Sequence, residues 1–179
     1  AASDVYKRQD IFSAIRALVK FDISKNQIYA VGGKAIAEAL TGNQAMTELN
    51  IAGNDLGMKD RRTADMSGVI AISDAIPTMG ALTSLNLATN RLEAEGAKYV
   101  AEAIKGHVST LRFDWYHLEL DLTSGSTAVV YGYCYYNTTK GALVKFNISS
   151  NKLCAAGGKA LAEALSGNEI MTELNIASN

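Results

Sequence analysis

Five stretches of the chain share one spacing, Leu-x-x-Leu-x-Leu-x-x-Asn-x-Leu, and this constrains the fold more than any other feature. It runs Leu18-x-x-Phe21-x-Ile23-x-x-Asn26-x-Ile28, Met46-x-x-Leu49-x-Ile51-x-x-Asn54-x-Leu56 and Leu82-x-x-Leu85-x-Leu87-x-x-Asn90-x-Leu92. It returns as Leu143-x-x-Phe146-x-Ile148-x-x-Asn151-x-Leu153, and the fifth copy reads Met171-x-x-Leu174-x-Ile176-x-x-Asn179. Self-similarity at a fixed period is the mark of a solenoid, in which each unit buries its apolar face on its neighbours. Asn26 to Asn54 is 28 positions, as is Asn151 to Asn179; Asn54 to Asn90 is 36. The excess of eight lies within Gly57–Ser67, a loop insertion carrying Lys59, Asp60, Arg61, Arg62 and Asp65.

Asn90 to Asn151 is 61 positions, room for two repeats, and Trp115-x-x-Leu118-x-Leu120-x-x-Thr123 fits between them in register with Asn151. The pattern therefore predicts about six strand positions. Between strands, Gly33-Lys34-Ala35-Ile36-Ala37-Glu38-Ala39-Leu40 recurs as Gly158-Lys159-Ala160-Leu161-Ala162-Glu163-Ala164-Leu165. Apolar residues at i and i+4 among helix-favouring alanines predict amphipathic helices packed on the sheet. Gly32, Gly96 and Gly157, each six residues after its asparagine, are expected at the turn into the helix. Gly42 and Gly167 mark helix ends. The asparagines Asn26, Asn54, Asn90, Asn151 and Asn179 are expected to be structural, pairing loop backbone groups that would otherwise be buried without partners.

A 28-residue unit with a full helix resembles the ribonuclease-inhibitor-like class of leucine-rich repeats, also found in NOD-like receptors and Ran-type GTPase-activating proteins. The resemblance covers about residues 10–111 and 142–179. It implies an α/β horseshoe, with parallel strands on the concave face, helices on the convex face, and protein ligands held on the concave side or its rim. A protein-binding module without catalysis is the leading expectation. The alternatives are a Ran-type GTPase activator, with Arg91, Lys59, Arg61 and Arg62 as its suggestive basic groups, and the sensor repeats of a NOD-like receptor.

Alternation along each strand turns the residues beside the buried positions outward. The partner-facing candidates are Asp22, Glu48, Asn50, Ser84, Asn86, Trp115, His117, Glu119, Asp121, Lys145, Asn147, Glu173 and Asn175. Their middle column is a polar ladder of mildly negative character, short of the aromatic and arginine anchors that dominate binding energies. Residues 113–141 break the pattern. They hold Phe113, Trp115, Tyr116, Tyr131, Tyr133, Tyr135 and Tyr136, and where a helix is due, Ala128–Tyr136 has the composition of a strand. A binding hot spot, an irregular packed segment and non-coding sequence carried into the reading frame are the three readings of that stretch.

The net charge of −1 gives no electrostatic call for nucleic acid, and no apolar run reaches the length of a membrane span. Two cysteines without metal-like spacing, and no secretory signal, point to the cytoplasm. The sequons at Asn137 and Asn147 are read as chance matches. His107 and His117 stand without a nucleophile, and no cofactor is expected. Residues 1–9 do not continue the repeat and read as translated adaptor; residues 10–179 are expected to be one repeat domain cut at both ends. Uncapped repeats expose core, so self-association through the ends is expected.

Overall fold

In the computed structural model, residues 17–107, 111–122, 126–137, 143–166, 168 and 170–179 are described, so residues 1–9, Thr123 and Gly167 lie outside them. The chain divides into two compact units, one of residues 1–108 and 140–179 and the other of residues 109–139.

In the first unit each repeat folds as strand, turn and helix. The strands are β1 (Lys20–Asp22), β2 (Glu48–Asn50), β3 (Ser84–Asn86), β6 (Lys145–Asn147) and β7 (Glu173–Asn175). They form one parallel sheet in the order β1-β2-β3-β6-β7. The helices are α1 (Tyr29–Leu40), α2 (Ser67–Ala75), α3 (Glu93–His107) and α4 (Cys154–Leu165). A 3-10 turn, Ile76–Thr78, follows α2 and takes up Pro77. This is a leucine-rich-repeat solenoid. Its core is the repeated spacing made solid: Met46, Leu82 and Leu143, Leu49, Leu85 and Phe146, Ile51, Leu87 and Ile148, and Leu56, Leu92 and Leu153 are all buried.

The turns are held by one hydrogen-bonded asparagine ladder. Each asparagine donates its backbone N–H to the Oδ1 of the next: Asn26 to Asn54 at 2.8 Å, Asn54 to Asn90 at 3.0 Å, Asn90 to Asn151 at 2.7 Å and Asn151 to Asn179 at 2.7 Å. The other end of each amide donates to carbonyls of its own turn and, from Asn54 onward, of the preceding one. Asn90 Nδ2 reaches the oxygens of Ile51 at 2.9 Å, Leu87 at 3.0 Å and Ala88 at 3.3 Å. Only a side chain with a donor and an acceptor at one tip can do both. The loops that carry the ladder also cap α1 and α3, whereas α2 takes an Asp cap, Asp65 Oδ1 accepting the Ser67 N–H at 2.9 Å. The first N–H of α1, on Tyr29, is taken by the Asn54 carbonyl at 3.0 Å, and that of α3, on Glu93, by the Asn151 carbonyl at 2.9 Å. The next repeat caps the helix of the one before.

The structure departs from the sequence expectations at three points. The sixth strand position is absent from the sheet: β3 pairs directly with β6, Ser84 with Lys145 and Asn86 with Asn147, and the ladder steps straight from Asn90 to Asn151. Leu118 and Leu120 instead belong to β4 (Leu111–Leu122), which pairs antiparallel with β5 (Ser126–Asn137) to form the second unit. The physical reason is local. No alanine-rich crossover helix follows residue 123, and a parallel insertion needs one, whereas two strand-prone runs joined by three residues close as a hairpin.

Second, the glycines at 32, 96 and 157 do not make the entry turn; each is the fourth residue of its helix. They are small because a Cβ would lie 2.6, 3.1 and 2.9 Å from the Cβ of Ile28, Leu92 and Leu153 respectively. The tight turn is made by other residues. Those one before, one after and three after the ladder asparagine (Thr89, Arg91 and Glu93; Ser150, Lys152 and Cys154) adopt left-handed backbone with φ between 54° and 58°. Such residues carry strain that the surrounding hydrogen bonds hold in place.

Third, a second buried asparagine went unread. Asn43, fully buried after α1, accepts the N–H groups of Ala45 and Met46, both at 2.8 Å, and donates to the Leu18 carbonyl at 3.1 Å. Asn168 repeats the acceptor half with Ile170 and Met171.

The insertion is an ordered loop. Met58 bridges Ala64, Lys59 N–H donates to the Thr63 carbonyl at 2.8 Å, and Asp60 Oδ1 accepts the N–H groups of Arg62 and Thr63. Those two bonds hold the Asp60 carboxyl below its ordinary value. Gly57 starts the loop because a Cβ there would stand 2.2 Å from the Arg91 carbonyl oxygen.

Candidate functional site

The face of the sheet turned away from the helices carries the candidate residues in straight rows, because parallel pairing in register stacks equivalent positions. The first row is Lys20, Glu48, Ser84, Lys145 and Glu173, and the middle row is Asp22, Asn50, Asn86, Asn147 and Asn175. The row between them, Phe21, Leu49, Leu85, Phe146 and Leu174, turns to the helices.

Charges in the first row are paired across neighbouring strands. Lys20 Nζ lies 2.6 Å from Glu48 Oε1, and Lys145 Nζ lies 2.6 Å from Glu173 Oε1, with both pairs well exposed. The hydrogen bond from Lys145 to Glu173, with the attraction of that carboxylate, raises the lysine's pKa above its ordinary value. These pairings were legible: a repeat of 28 places Lys20 beside Glu48 and Lys145 beside Glu173, and the opposite signs were the signal.

The middle row is built differently. Each side-chain Oδ1 turns back to accept the N–H two residues on: Asp22 from Ser24 at 2.9 Å, Asn50 from Ala52 at 3.3 Å and Asn86 from Ala88 at 3.1 Å. Asn147 accepts from Ser149 at 3.1 Å and Asn175 from Ala177 at 3.0 Å. These turns spend the acceptors and fix the side chains. Asn50 Nδ2 donates to Asp22 Oδ2 at 2.8 Å. The Ser24 N–H and the Asn50 amide together lower the pKa of Asp22. The Nδ2 groups of Asn86, Asn147 and Asn175 have no hydrogen-bond partner among the described residues, and point their N–H donors outward. The result is a row of fixed, unspent donors, ending at one carboxylate.

Beyond this row, Ser84, Asn86, Lys145, Asn147, Thr172, Glu173 and Asn175 line a shallow groove of about 520 Å³. Trp115, His117, Glu119 and Asp121 do not join the rows. They belong to β4, in register with Tyr133, Tyr131, Val129 and Thr127 of β5. The expected middle column thus has five members in the sheet rather than six. On the loop rim, Arg91 Nε pairs with Asp55 Oδ1 at 2.8 Å, tying one repeat to the one before. Among the described residues no group of histidine, cysteine and carboxylate side chains could hold a metal, and no helix is long and apolar enough to cross a membrane.

Two comparisons agree with this architecture. A family described as Leucine Rich repeat matches residues 16–37 and 82–101. Among solved structures, the chain is similar to one titled Leiomodin-1 Actin-Binding Site 2 (ABS2), at 14% sequence identity over 93% of this chain and 77% of that one, with a TM-score of 0.59. At that identity the likeness is one of fold. The family match places leucine-rich repeats at two of the strand–turn–helix units of the parallel sheet.

Proposed function

We propose that this chain is a protein-binding module that takes its partner on the open face of the parallel sheet, across Asp22, Glu48, Asn50, Ser84, Asn86, Lys145, Asn147, Glu173 and Asn175. The observation that carries this is the row of amide donors. Asn86, Asn147 and Asn175 are fixed by their own turns and keep Nδ2 unspent. Fixed polar groups lose little freedom on binding, which favours recognition. The partner is therefore rich in acceptors along the contact, such as backbone carbonyls or carboxylates. The repeats are assigned to the ribonuclease-inhibitor-like class on their 28-residue period and the 12-residue helices α1 and α4. We extend the proposal to a cytoplasmic setting, in keeping with the free, exposed thiol of Cys154.

Actin is the first ligand to try, since the similar leiomodin structure is titled as an actin-binding site. Binding to immobilised actin should compare the unmodified chain with two variants. One, Asn86→Asp with Asn147→Asp, turns the donors into acceptors. The other, Lys98→Ala with Lys159→Ala, changes the helix side. If actin does not bind, a photo-crosslinker at Asn86 identifies the partner and the same variants are compared on it. The face variant should lose at least about tenfold in affinity, roughly 1.4 kcal/mol, and the helix variant little. The reverse pattern would place recognition elsewhere.

The Ran-type alternative draws on the basic rim of the insertion. Arg91 is held by Asp55, which leaves the exposed Arg61 and Arg62 as the arginines that could reach a GTPase. An arginine supplied in trans accelerates GTP hydrolysis by ~10³–10⁵, so a turnover assay with Arg61→Ala and Arg62→Ala decides it. The sensor-segment reading is decided by the neighbouring gene sequence, through the presence of a nucleotide-binding domain.

A further inference from the structure

The unspent amide donors of the open face are evenly spaced, and the spacing restricts what can accept from all of them. Asn86, Asn147 and Asn175 stand beside one another on the neighbouring strands β3, β6 and β7. Strands β3 and β6 are each paired on both sides, so what is open there is the face of the sheet and not an edge. Neighbouring strands lie about 4.8 Å apart, so the three donors repeat at that interval and span about 9.6 Å. Each is fixed by its own turn, through the N–H groups of Ala88, Ser149 and Ala177. The donors cannot slide to meet acceptors that are out of step, so the occupant has to supply the period.

Two conformations of a partner segment can be set against that period. An extended strand turns every second side chain to one side, about 6.7 Å apart, and overshoots the third donor by about 4 Å. A helix rises about 1.5 Å per residue, so positions i, i+3 and i+7 share one face at about 0, 4.5 and 10.5 Å. Those distances differ from the donor spacing by about 1 Å or less, which a flexible side chain absorbs. The helix spends its own carbonyls internally, so the acceptors have to be side chains. A second sheet stacked on this one would match the interval too, but sheets stack through interdigitated apolar side chains, whereas this face carries Ser84, Asn86, Lys145, Asn147, Glu173 and Asn175.

Charge selects among the side-chain acceptors. The row turns its own Oδ1 atoms to its backbone and offers donors alone, which suits a carboxylate, since that group accepts without donating and gains from its charge. Within the groove the carboxylate of Glu173 is neutralised by Lys145 at 2.6 Å, so nothing there opposes an anion. Ser84 is the small member of a first row that otherwise carries Lys and Glu, and it opens the groove beside Asn86. At the other end of the middle row, Asp22 is itself a carboxylate and takes the donor of Asn50 at 2.8 Å. Like charge repels an acidic partner from that end and leaves β3, β6 and β7 as its seat.

We propose that the partner element seated on this row is an acidic α-helix lying across the strands, with Asp or Glu at i, i+3 and i+7 accepting from Asn86, Asn147 and Asn175. This rests on the open face being the binding surface, and adds the partner's conformation and chemistry to it.

Three synthetic peptides test it on the full chain. The first is a helix with Glu at i, i+3 and i+7, stapled on its far side because so short a helix is marginal alone. The second is the same helix with Gln at those positions. The third carries Glu at i, i+2 and i+4 in an extended sequence rich in valine and threonine. Titrations follow the side-chain amide NMR signals of Asn86, Asn147 and Asn175, and are repeated on the chain carrying Asn86→Asp with Asn147→Asp. The Glu helix should shift all three signals and bind at least about tenfold tighter than the other two peptides, an advantage lost on the variant, because charge-assisted bonds are the stronger ones. Equal binding by the Gln helix overturns the carboxylates, equal binding by the extended peptide overturns the helix, and a Glu helix that moves none of the three signals overturns both. Failure of the helix and failure of the face are separable. Where the peptides fail but the partner captured at Asn86 still binds more weakly to the Asp variant, the open face stands and the helix falls. A captured partner that binds the variant as tightly as the unmodified chain removes the face as well.

Discussion

Asn86 and Asn90 belong to the same repeat, four residues apart, and their surroundings are opposite. Asn90 is fully buried, and both ends of its amide are spent on the backbone of two successive turns, its own and the preceding one. Asn86 lies on the open sheet face, spends its acceptor on its own turn, and keeps its donor. The same division holds for Asn147 against Asn151, while Asn50 differs from Asn86 in giving its donor to Asp22. Residue type therefore does not separate scaffold from recognition in this molecule. What separates them is whether the neighbouring repeats use up the amide.

The largest expected effect breaks the ladder. Asn90→Ala takes the acceptor from the buried N–H groups of Asn54 and Leu56, while the Ile51 and Leu87 carbonyls keep the amides of Asn54 and Asn151, and it should cost about 2–3 kcal/mol at 1–3 kcal/mol for each unsatisfied group. Asn86→Ala loses one half-exposed turn bond and should cost under about 1 kcal/mol. Urea denaturation of both variants measures the difference. Equal losses would mean that the open row is as structural as the buried one, and the proposed binding face would lose its basis.

A second pair of variants asks what a neighbouring repeat contributes. Gly33→Ala forces a methyl against Leu56 and the Gly68 backbone, and should cost about 1–3 kcal/mol as an overpacked contact. Gly158→Ala adds the same methyl in open space within a helix, and should stabilise the chain by about 0.5–1 kcal/mol. Opposite signs at equivalent positions would show that the glycine serves the junction rather than the helix.

These effects also mark how far the sequence could be read. The apolar spacing and the asparagines made the strand–turn–helix unit legible, because each position is forced by contact with a near-identical neighbour. Leu118 and Leu120 fit the spacing equally well, yet they pair with β5 in an antiparallel hairpin. Spacing records which face a residue turns, and not which strand it meets; the missing helix and the missing asparagine at Thr123 were the better guides. Asn43 was hidden because its task lies at the other end of the helix, outside the strand motif. The open row of side chains was legible from alternation alone. Its unspent donors were not, since they depend on turn hydrogen bonds that only the folded backbone reveals.

A smaller effect concerns the strained turn. Thr89 is β-branched and holds φ at 58°, where Gly53 occupies the equivalent place in the preceding repeat at φ 70°. Thr89→Gly should relieve the left-handed strain, offset in part by greater freedom in the unfolded chain, for a net gain of up to about 1 kcal/mol. A loss on thermal melting would show that the threonine side chain supplies something beyond its backbone.

The weakest effect separates the charged end of the open row from its neutral members. The pKa of Asp22 is lowered in the folded chain by the Ser24 N–H and the Asn50 amide. A carboxyl with a depressed folded pKa contributes stability above its unfolded value, and that stability is lost as pH falls through the folded one. The urea midpoint should therefore drop below about pH 4, near the ordinary Asp value of 3.8, with Asp60 contributing in the same direction. Asp22→Asn should make that decline shallower. Lys145 titrates at the other extreme: its pKa is raised by Glu173, so its contribution is full below the ordinary lysine value of 10.5 and is lost as pH rises past it. Between these limits the row keeps its charge and geometry, and partner binding should be flat from about pH 5 to 9 apart from titration of the partner itself. Binding to a partner without titratable contacts that nevertheless changes tenfold inside that window would require a histidine at the contact. His107 ends α3 and His117 lies on β4, so that result would move the recognition surface off the asparagine row.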